Sequence, residues 1–181
     1  LLPFFSNMSF ALPYYSPQYR FVALYDMALK NNTLYVGGLF DRVGMDLNNG
    51  GIIGRSSGLV SPASAEPNNR VLTSVPDGNG GWFIGGDFTK VGGEQRKGLA
   101  RLNADGSLNS WNPGTNGSVS SMVLRGNILY VMGSFSQLGG SVRQRLGSVD
   151  ITTATATDWN PGMDVSNGVM CASGTNLYIA G

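Results

Sequence analysis

Short apolar runs alternate with glycine-rich turns along most of this chain, and one such run returns at a fixed step. Leu34-Tyr35-Val36-Gly37-Gly38-Leu39-Phe40 is followed by Trp82-Phe83-Ile84-Gly85-Gly86-Asp87-Phe88, then by Leu129-Tyr130-Val131-Met132-Gly133-Ser134-Phe135, and the phrase opens again at Leu177-Tyr178-Ile179-Ala180-Gly181. Its aromatic position advances by 48, 47 and 48 residues. Trp111-Asn112-Pro113-Gly114 keeps the same step and recurs as Trp159-Asn160-Pro161-Gly162. A period in this range, made of short apolar runs and glycine turns, marks a propeller or similar β array. Within each run the apolar residues are consecutive. Strict alternation would leave one face wet, whereas a continuous run indicates burial on both faces, as for a blade held between two neighbours. The glycine pair that follows lets neighbouring backbone approach closely, or lets the strand bulge.

The most regular repeat predicts four short antiparallel strands. Val71–Val75 is the first. Pro76-Asp77-Gly78-Asn79-Gly80 turns it, since Asp-Gly and Asn-Gly supply the positive φ of a tight hairpin. Trp82–Phe88 is the second strand, and Lys90-Val91-Gly92-Gly93-Glu94 the next bend. Leu99–Asn103 is the third strand, Asn103-Ala104-Asp105-Gly106 its turn, and Ser107–Trp111 a short fourth. Pro113 cannot donate to a ladder and suits an outer edge or the exit from the blade. Laid along the chain, the period divides it into the tail of a preceding blade (1–19), a divergent blade (20–66), two regular blades (67–114 and 115–162) and the start of another (163–181). Residues 71–115 and 119–162 are expected to superpose, with Tyr35, Phe83, Tyr130 and Tyr178 in equivalent buried places between blades. The fold class is all-β: four-stranded propeller blades in a partial or open ring. The edges at Leu1–Tyr19 and Thr175–Gly181 are expected to be covered by further residues or by another polypeptide.

Phe83-Ile84-Gly85-Gly86-Asp87-Phe88-Thr89, Gly92-Gly93-Glu94-Gln95-Arg96 and Leu99-Ala100-Arg101-Leu102-Asn103-Ala104-Asp105-Gly106-Ser107-Leu108 together resemble the delta-sixty repeat of bacterial secreted and cell-surface proteins. More loosely, the paired glycines are similar to those of kelch-type blades. The next repeat is recognisable, with Val149-Asp150 standing where Leu102-Asn103 stand and Thr153 in place of Gly106. The first matches around 34–44 and near Gly58. The resemblance implies a β-propeller, often part of a large exported or surface protein. It carries no agreed activity and no catalytic or ligand residues.

Glycine is about twice its usual share, at 27 of 181 residues, which fits a chain of many turns. A net charge of +1, with twelve scattered Lys and Arg, offers no electrostatic footprint for nucleic acid or an anionic membrane. No stretch is apolar for the length of a membrane-spanning helix, and the apolar N-terminus lacks the basic region of a signal peptide. There is no histidine, which removes the usual general base and the commonest metal ligand. Cys171, the single cysteine, occupies the repeat position of Val123 and is expected to be a buried, inert thiol.

Several residues invite a functional reading beside a structural one. Arg96 and its counterpart Arg143 suit a clasp for an anionic ligand, or a tie from each arginine to backbone carbonyls of its own Gly-Gly bend. Counting by the period puts Asn48 at that place in the preceding repeat. Trp111 and Trp159 suit a sugar-stacking platform, or filling between adjacent blades. Asp77-Gly78-Asn79-Gly80 and Asn103-Ala104-Asp105-Gly106 carry oxygen ligands without the acidic ladder of a calcium loop, so they read as turns. Asp87 and Glu94 are the carboxylates for a glycosidase pair; Asp87 gives way to Leu39 and Ser134 in its sister repeats. Asn7, Asn31 and Asn116 stand in Asn-X-Ser/Thr sequons that arise by chance in so polar a chain. No cofactor or metal is implied. The leading expectation is a non-enzymatic exported or surface-exposed scaffold for protein–protein interaction or assembly, its contacts made by variable loops. The alternatives are a carbohydrate-binding attachment module, as in an adhesin or virion appendage, and part of an enzyme whose catalytic residues lie outside this segment.

Overall fold

The computed structural model describes the backbone of Ala23–Lys30 and Thr33–Leu39, residues 49–54, residue 61, and residues 64–181. The stretch Leu1–Tyr19, with Asn7, and Asn31 lie outside the described residues, as does the side chain of Tyr35. Every regular element among the described residues is a β-strand. The first sheet holds β1 (Ala23–Lys30), β2 (Thr33–Leu39) and β3 (Gly50–Gly54). The second holds β4 (Val71–Pro76), β5 (Trp82–Gly86) and β8 (Leu99–Leu102), with a two-residue hairpin of β6 (Lys90–Val91) and β7 (Glu94–Gln95) between the last two. The third repeats that plan: β9 (Ser118–Arg125), β10 (Ile128–Ser134), the hairpin β11 (Gln137–Leu138) and β12 (Ser141–Val142), then β13 (Leu146–Asp150). A fourth sheet holds β14 (Val169–Ser173) and β15 (Asn176–Ala180). All pairings are antiparallel. These are propeller blades in an open array.

The outermost strand of each regular blade is shorter than the sequence suggests. It is present as one bridging pair, Leu102 with Leu108 and Val149 with Ala156. Backbone bonds flank that pair in the second blade, from the Asn103 amide to the Ser107 carbonyl and from the Asn109 amide to the Arg101 carbonyl, each at 2.9 Å. Past it the Asn109 side chain accepts the Trp111 amide and Asn112 donates to the Gln95 carbonyl of the hairpin.

Register reproduces the period residue by residue. Ala28 faces Tyr35, Val75 faces Phe83, Val123 faces Tyr130 and Cys171 faces Tyr178. Each of the first three blades also has a bulge at the same place on its first strand, where Tyr25, Leu72 and Ser120 are the extra residues. Glycine is required opposite that bulge. A Cβ at Gly86 would collide with the Arg70 carbonyl oxygen, and one at Gly133 with that of Ser118. The recurring glycine therefore records a backbone approach that both regular blades need.

All five residues of β5 are buried, and alternate side chains serve opposite neighbours. Trp82 and Ile84 join a cluster with Ile52 of the first blade, while Phe83 joins one with Val119 and Met122 of the third. The continuous apolar run thus supplies two interfaces from one strand.

Gly50 faces Gly37 as Leu99 faces Gly85, so Asn49 holds in the first blade the place of Gly98 in the second; Asn48 lies outside the described residues. Asn49, Gly98 and Arg145 then share one site at the entry to the third strand, with φ of 54°, 69° and 62°.

The expectation of equivalent burial is not met among the three aromatics whose side chains are described. Phe83 is fully buried, Tyr130 half-buried, and Tyr178 is 54% exposed. Cys171 is exposed, not buried. The reason is the same for both: Cys171 and Tyr178 face each other on the last described sheet, where no further blade covers them. Burial here belongs to the neighbour as much as to the residue.

Candidate functional site

The polar side chains that recur with the period are committed to backbone. Asn68 accepts the amides of Thr89 and Lys90, each at 2.9 Å, and donates to the Thr89 hydroxyl at 3.0 Å. Asn116 does the same for Ser136 and Gln137, at 2.8 and 2.9 Å, and donates to the Ser136 hydroxyl at 2.8 Å. Each asparagine pins the small hairpin to the start of its own blade. Sequence reasoning passed over this pair, although the two asparagines and their hydroxyl partners keep the period. Asn116, read as a chance sequon, has its side-chain nitrogen engaged in that pin.

Arg96 donates to the carbonyls of Gln95, at 2.8 Å, and Asn109, at 3.2 Å. Arg143 donates to the corresponding carbonyls of Val142 and Thr157. Both guanidinium groups thereby tie the hairpin to the outer end of the blade. Trp111 is 6% exposed and meets Phe83 edge-on, with centroids 4.8 Å apart. Trp159 meets Tyr130 in the same way at 5.0 Å, yet is 37% exposed. The two tryptophans are equivalent in the blade and differ in what lies over them.

Asp77 is nearly buried in the turn after β4. One carboxylate oxygen accepts the amides of Asn79 and Gly81 at 2.7 and 2.9 Å. The other accepts Nε and a terminal nitrogen of Arg101 at 3.0 and 2.7 Å. The Arg101 guanidinium lies 5.3 Å from the centre of the Phe83 ring. Local sequence shows only the turn; the ion pair across β5 depends on register. Asp87 is held by the Ser118 hydroxyl and by the Arg70 guanidinium. Arg70 and Ser118 precede or open the first strands of successive blades, so Asp87 links two blades where they begin. Glu94 is exposed at the tip of the β6–β7 hairpin.

Asp105 and Asp150 occupy the same turn in two blades. Hydrogen bonds from Ser107, hydroxyl and amide, hold the Asp105 carboxyl below the usual carboxylate range. Those from Thr152 and the Thr153 amide do the same for Asp150. Among the described residues, no three His, Cys, Asp or Glu side chains are placed to hold a metal ion.

An open cleft of about 620 Å³ lies between the first and second blades, bounded by Asn49, Ser64, Glu66, Asn68, Gly92 and Gly93 together with Ala65 and Pro67. Neither Asp87 nor Glu94 lines it. Asn49 donates to the Pro67 carbonyl at 3.3 Å, and Asn68 is occupied by its pin, so these amides are already partnered.

Residues 78–110 match the family model described as "Domain of unknown function (DUF5122) beta-propeller". The match runs from the turn after β4 to just past the outer bridge at Leu108, and fits the propeller class that the sheets define. No curated protein matches this sequence. In fold, the chain is similar to the computationally designed Ika4 protein, with a TM-score of 0.60, 12% identity, and 87% of this chain and 84% of that one covered. It is similar also to the computationally designed Ika8 protein, at 0.59 and 11%, with 87% of this chain covered and 42% of that one. At such identities the likeness is one of fold. Among the described residues no helix is long and apolar enough to cross a membrane.

Proposed function

We propose that this chain is a non-enzymatic scaffold within an exported or surface-exposed protein, and that the hairpin face of its blades mediates contact with a protein partner. The supporting observation is the commitment of its recurring polar groups. Asn68 and Asn116, and Arg96 and Arg143, spend the same bonds at the same places, which is the economy of a framework. The hairpin tips differ instead: Glu94-Gln95 in one blade, Ser141-Val142 in the next, with Val142 63% exposed. Tips that vary on a constant frame are where recognition is built.

The test is photo-crosslinking from single positions in the cells that make the protein. Positions 94 and 142 should give an adduct with a discrete protein. Position 127, in the β9–β10 turn at the opposite end of its sheet, should not. Adducts from all three alike, or from none, would remove the hairpin face from the account. Carbohydrate attachment is the second reading, supported by the part-exposed Trp159 beside Tyr130. Glycan binding that disappears in Trp159→Ala would favour it over the first.

A further inference from the structure

We propose that Asn79 is a site of spontaneous deamidation, a chemical modification to which the fold leaves this asparagine open while closing it at Asn116. Both residues precede glycine, the neighbour that least hinders attack by its own backbone nitrogen. They differ in what holds the side chain. Asn116 spends its amide on three hydrogen bonds, two accepted and one donated. Asn79 is exposed, between exposed Gly78 and Gly80 with φ of 88° and 91°, and among the described residues its side chain has no hydrogen-bond partner. Its backbone amide is anchored on Asp77, and so is that of Gly81, while the Gly80 amide between them is unengaged among the described residues. The turn is thus fixed at both sides of the reacting pair, with the two reacting groups free. Asn49 and Asn167 also precede glycine. The Asn49 amide is bound to the Pro67 carbonyl. Gly168 lies against the Ala180 carbonyl, which restricts the movement Asn167 would need.

In the reaction the Gly80 nitrogen attacks the side-chain carbonyl carbon of Asn79. A bond forms between them, the bond from that carbon to the side-chain nitrogen breaks, and ammonia leaves with the proton lost from Gly80. Water then opens the five-membered imide at either carbonyl, giving aspartate or isoaspartate. Both products place a new carboxylate two residues from Asp77, and isoaspartate adds a methylene to the main chain of a turn whose geometry Asp77 fixes. The pairing of Asp77 with Arg101 would then face a second negative group of the same loop.

The purified chain would be incubated at mildly alkaline pH, digested with trypsin and read by mass spectrometry. The peptide from Val71 to Lys90 carries Asn79, and that from Leu102 to Arg125 carries Asn116. The first should gain about one mass unit, the signature of this lesion in thermolabile asparagine, at a rate on the order of tenfold or more above the second, which must first open locally. In denaturant the two should convert alike, and Asn79→Gln should silence the first peptide. Equal rates in the folded chain would overturn the proposal. So would an unchanged 71–90 peptide over a period in which the denatured chain converts.

Discussion

Phe83 and Tyr178 hold one position in the repeat, and their environments set opposite expectations. Phe83 is sealed between the second and third blades and takes the Arg101 guanidinium on its ring, so Phe83→Ala should cost about 3–5 kcal/mol. Tyr178→Ala should stay within about 0.5 kcal/mol in this chain. Urea unfolding of both variants measures the contrast. A second residue-scale prediction concerns the left-handed entry to the third strand. Arg145 adopts φ of 62° there, a cost of about 1–2 kcal/mol for a residue with a Cβ. Its guanidinium offsets this by donating to the Met163 and Asp164 carbonyls at 3.3 and 3.1 Å. Arg145→Ala keeps the strain and loses the bonds, so it should be less stable than Arg145→Gly by about 1 kcal/mol. Gly98→Ala should be worse than either, because its Cβ would strike the Thr115 hydroxyl and lie 2.8 Å from the Gly117 carbonyl oxygen. Sequence showed glycine at 98 and arginine at 145 without revealing that they share a backbone state. Cys171 failed for a related reason: its repeat partner Val123 has a blade beside it and Cys171 has none.

Strands were the most legible elements, because an aromatic flanked by aliphatics and closed by glycine reports burial on both faces and a close backbone approach together. Only the outer strand fell short, at one bridge per blade. The hairpin pins were hidden by their chemistry: an asparagine in a loop reads as turn-forming until its distant amides are known. They predict a local effect. In Asn116→Ala, hydrogen exchange at the Ser136 and Gln137 amides should quicken while that at Thr89 and Lys90 stays as it was. Asn68→Ala should show the reverse. Loss of either pin should cost about 1–2 kcal/mol by thermal or urea unfolding. The aspartate turns predict a pH dependence. The Asp105 and Asp150 carboxyls titrate lower in the folded chain than in the unfolded one, so their contribution is present above the unfolded value and fades as pH falls through the folded one. Asp105→Asn and Asp150→Asn should therefore melt below the parent at pH 7. The gap should close as the pH drops below about 4.

Across the whole molecule, the interface between the second and third blades carries its stability in apolar packing, and that between the third and fourth relies more on polar ties. Phe83, Leu99, Trp111, Val119 and Leu129 are among the buried residues of the former; Met132, Leu146 and Met170 are those of the latter. Around Met170 the Ser121 hydroxyl accepts its amide at 3.0 Å, Arg125 donates to the Ala172 carbonyl, and the Ser120 hydroxyl donates to that of Ser166 at 3.2 Å. The period foretold that these blades would be alike, and it could not foretell how differently their seams are held, because a seam is made by two repeats at once. The central claim is that one blade plan recurs every 47–48 residues, with bulge, pin and aromatic in register. A crystal structure of the chain tests it most directly. The account predicts that β4, β5 and β8 superpose on β9, β10 and β13 with Leu72 on Ser120, Phe83 on Tyr130 and Asn68 on Asn116. A helix of more than two turns within 71–115 or 119–162, or sheets in which those three pairs fall at different places, would contradict it.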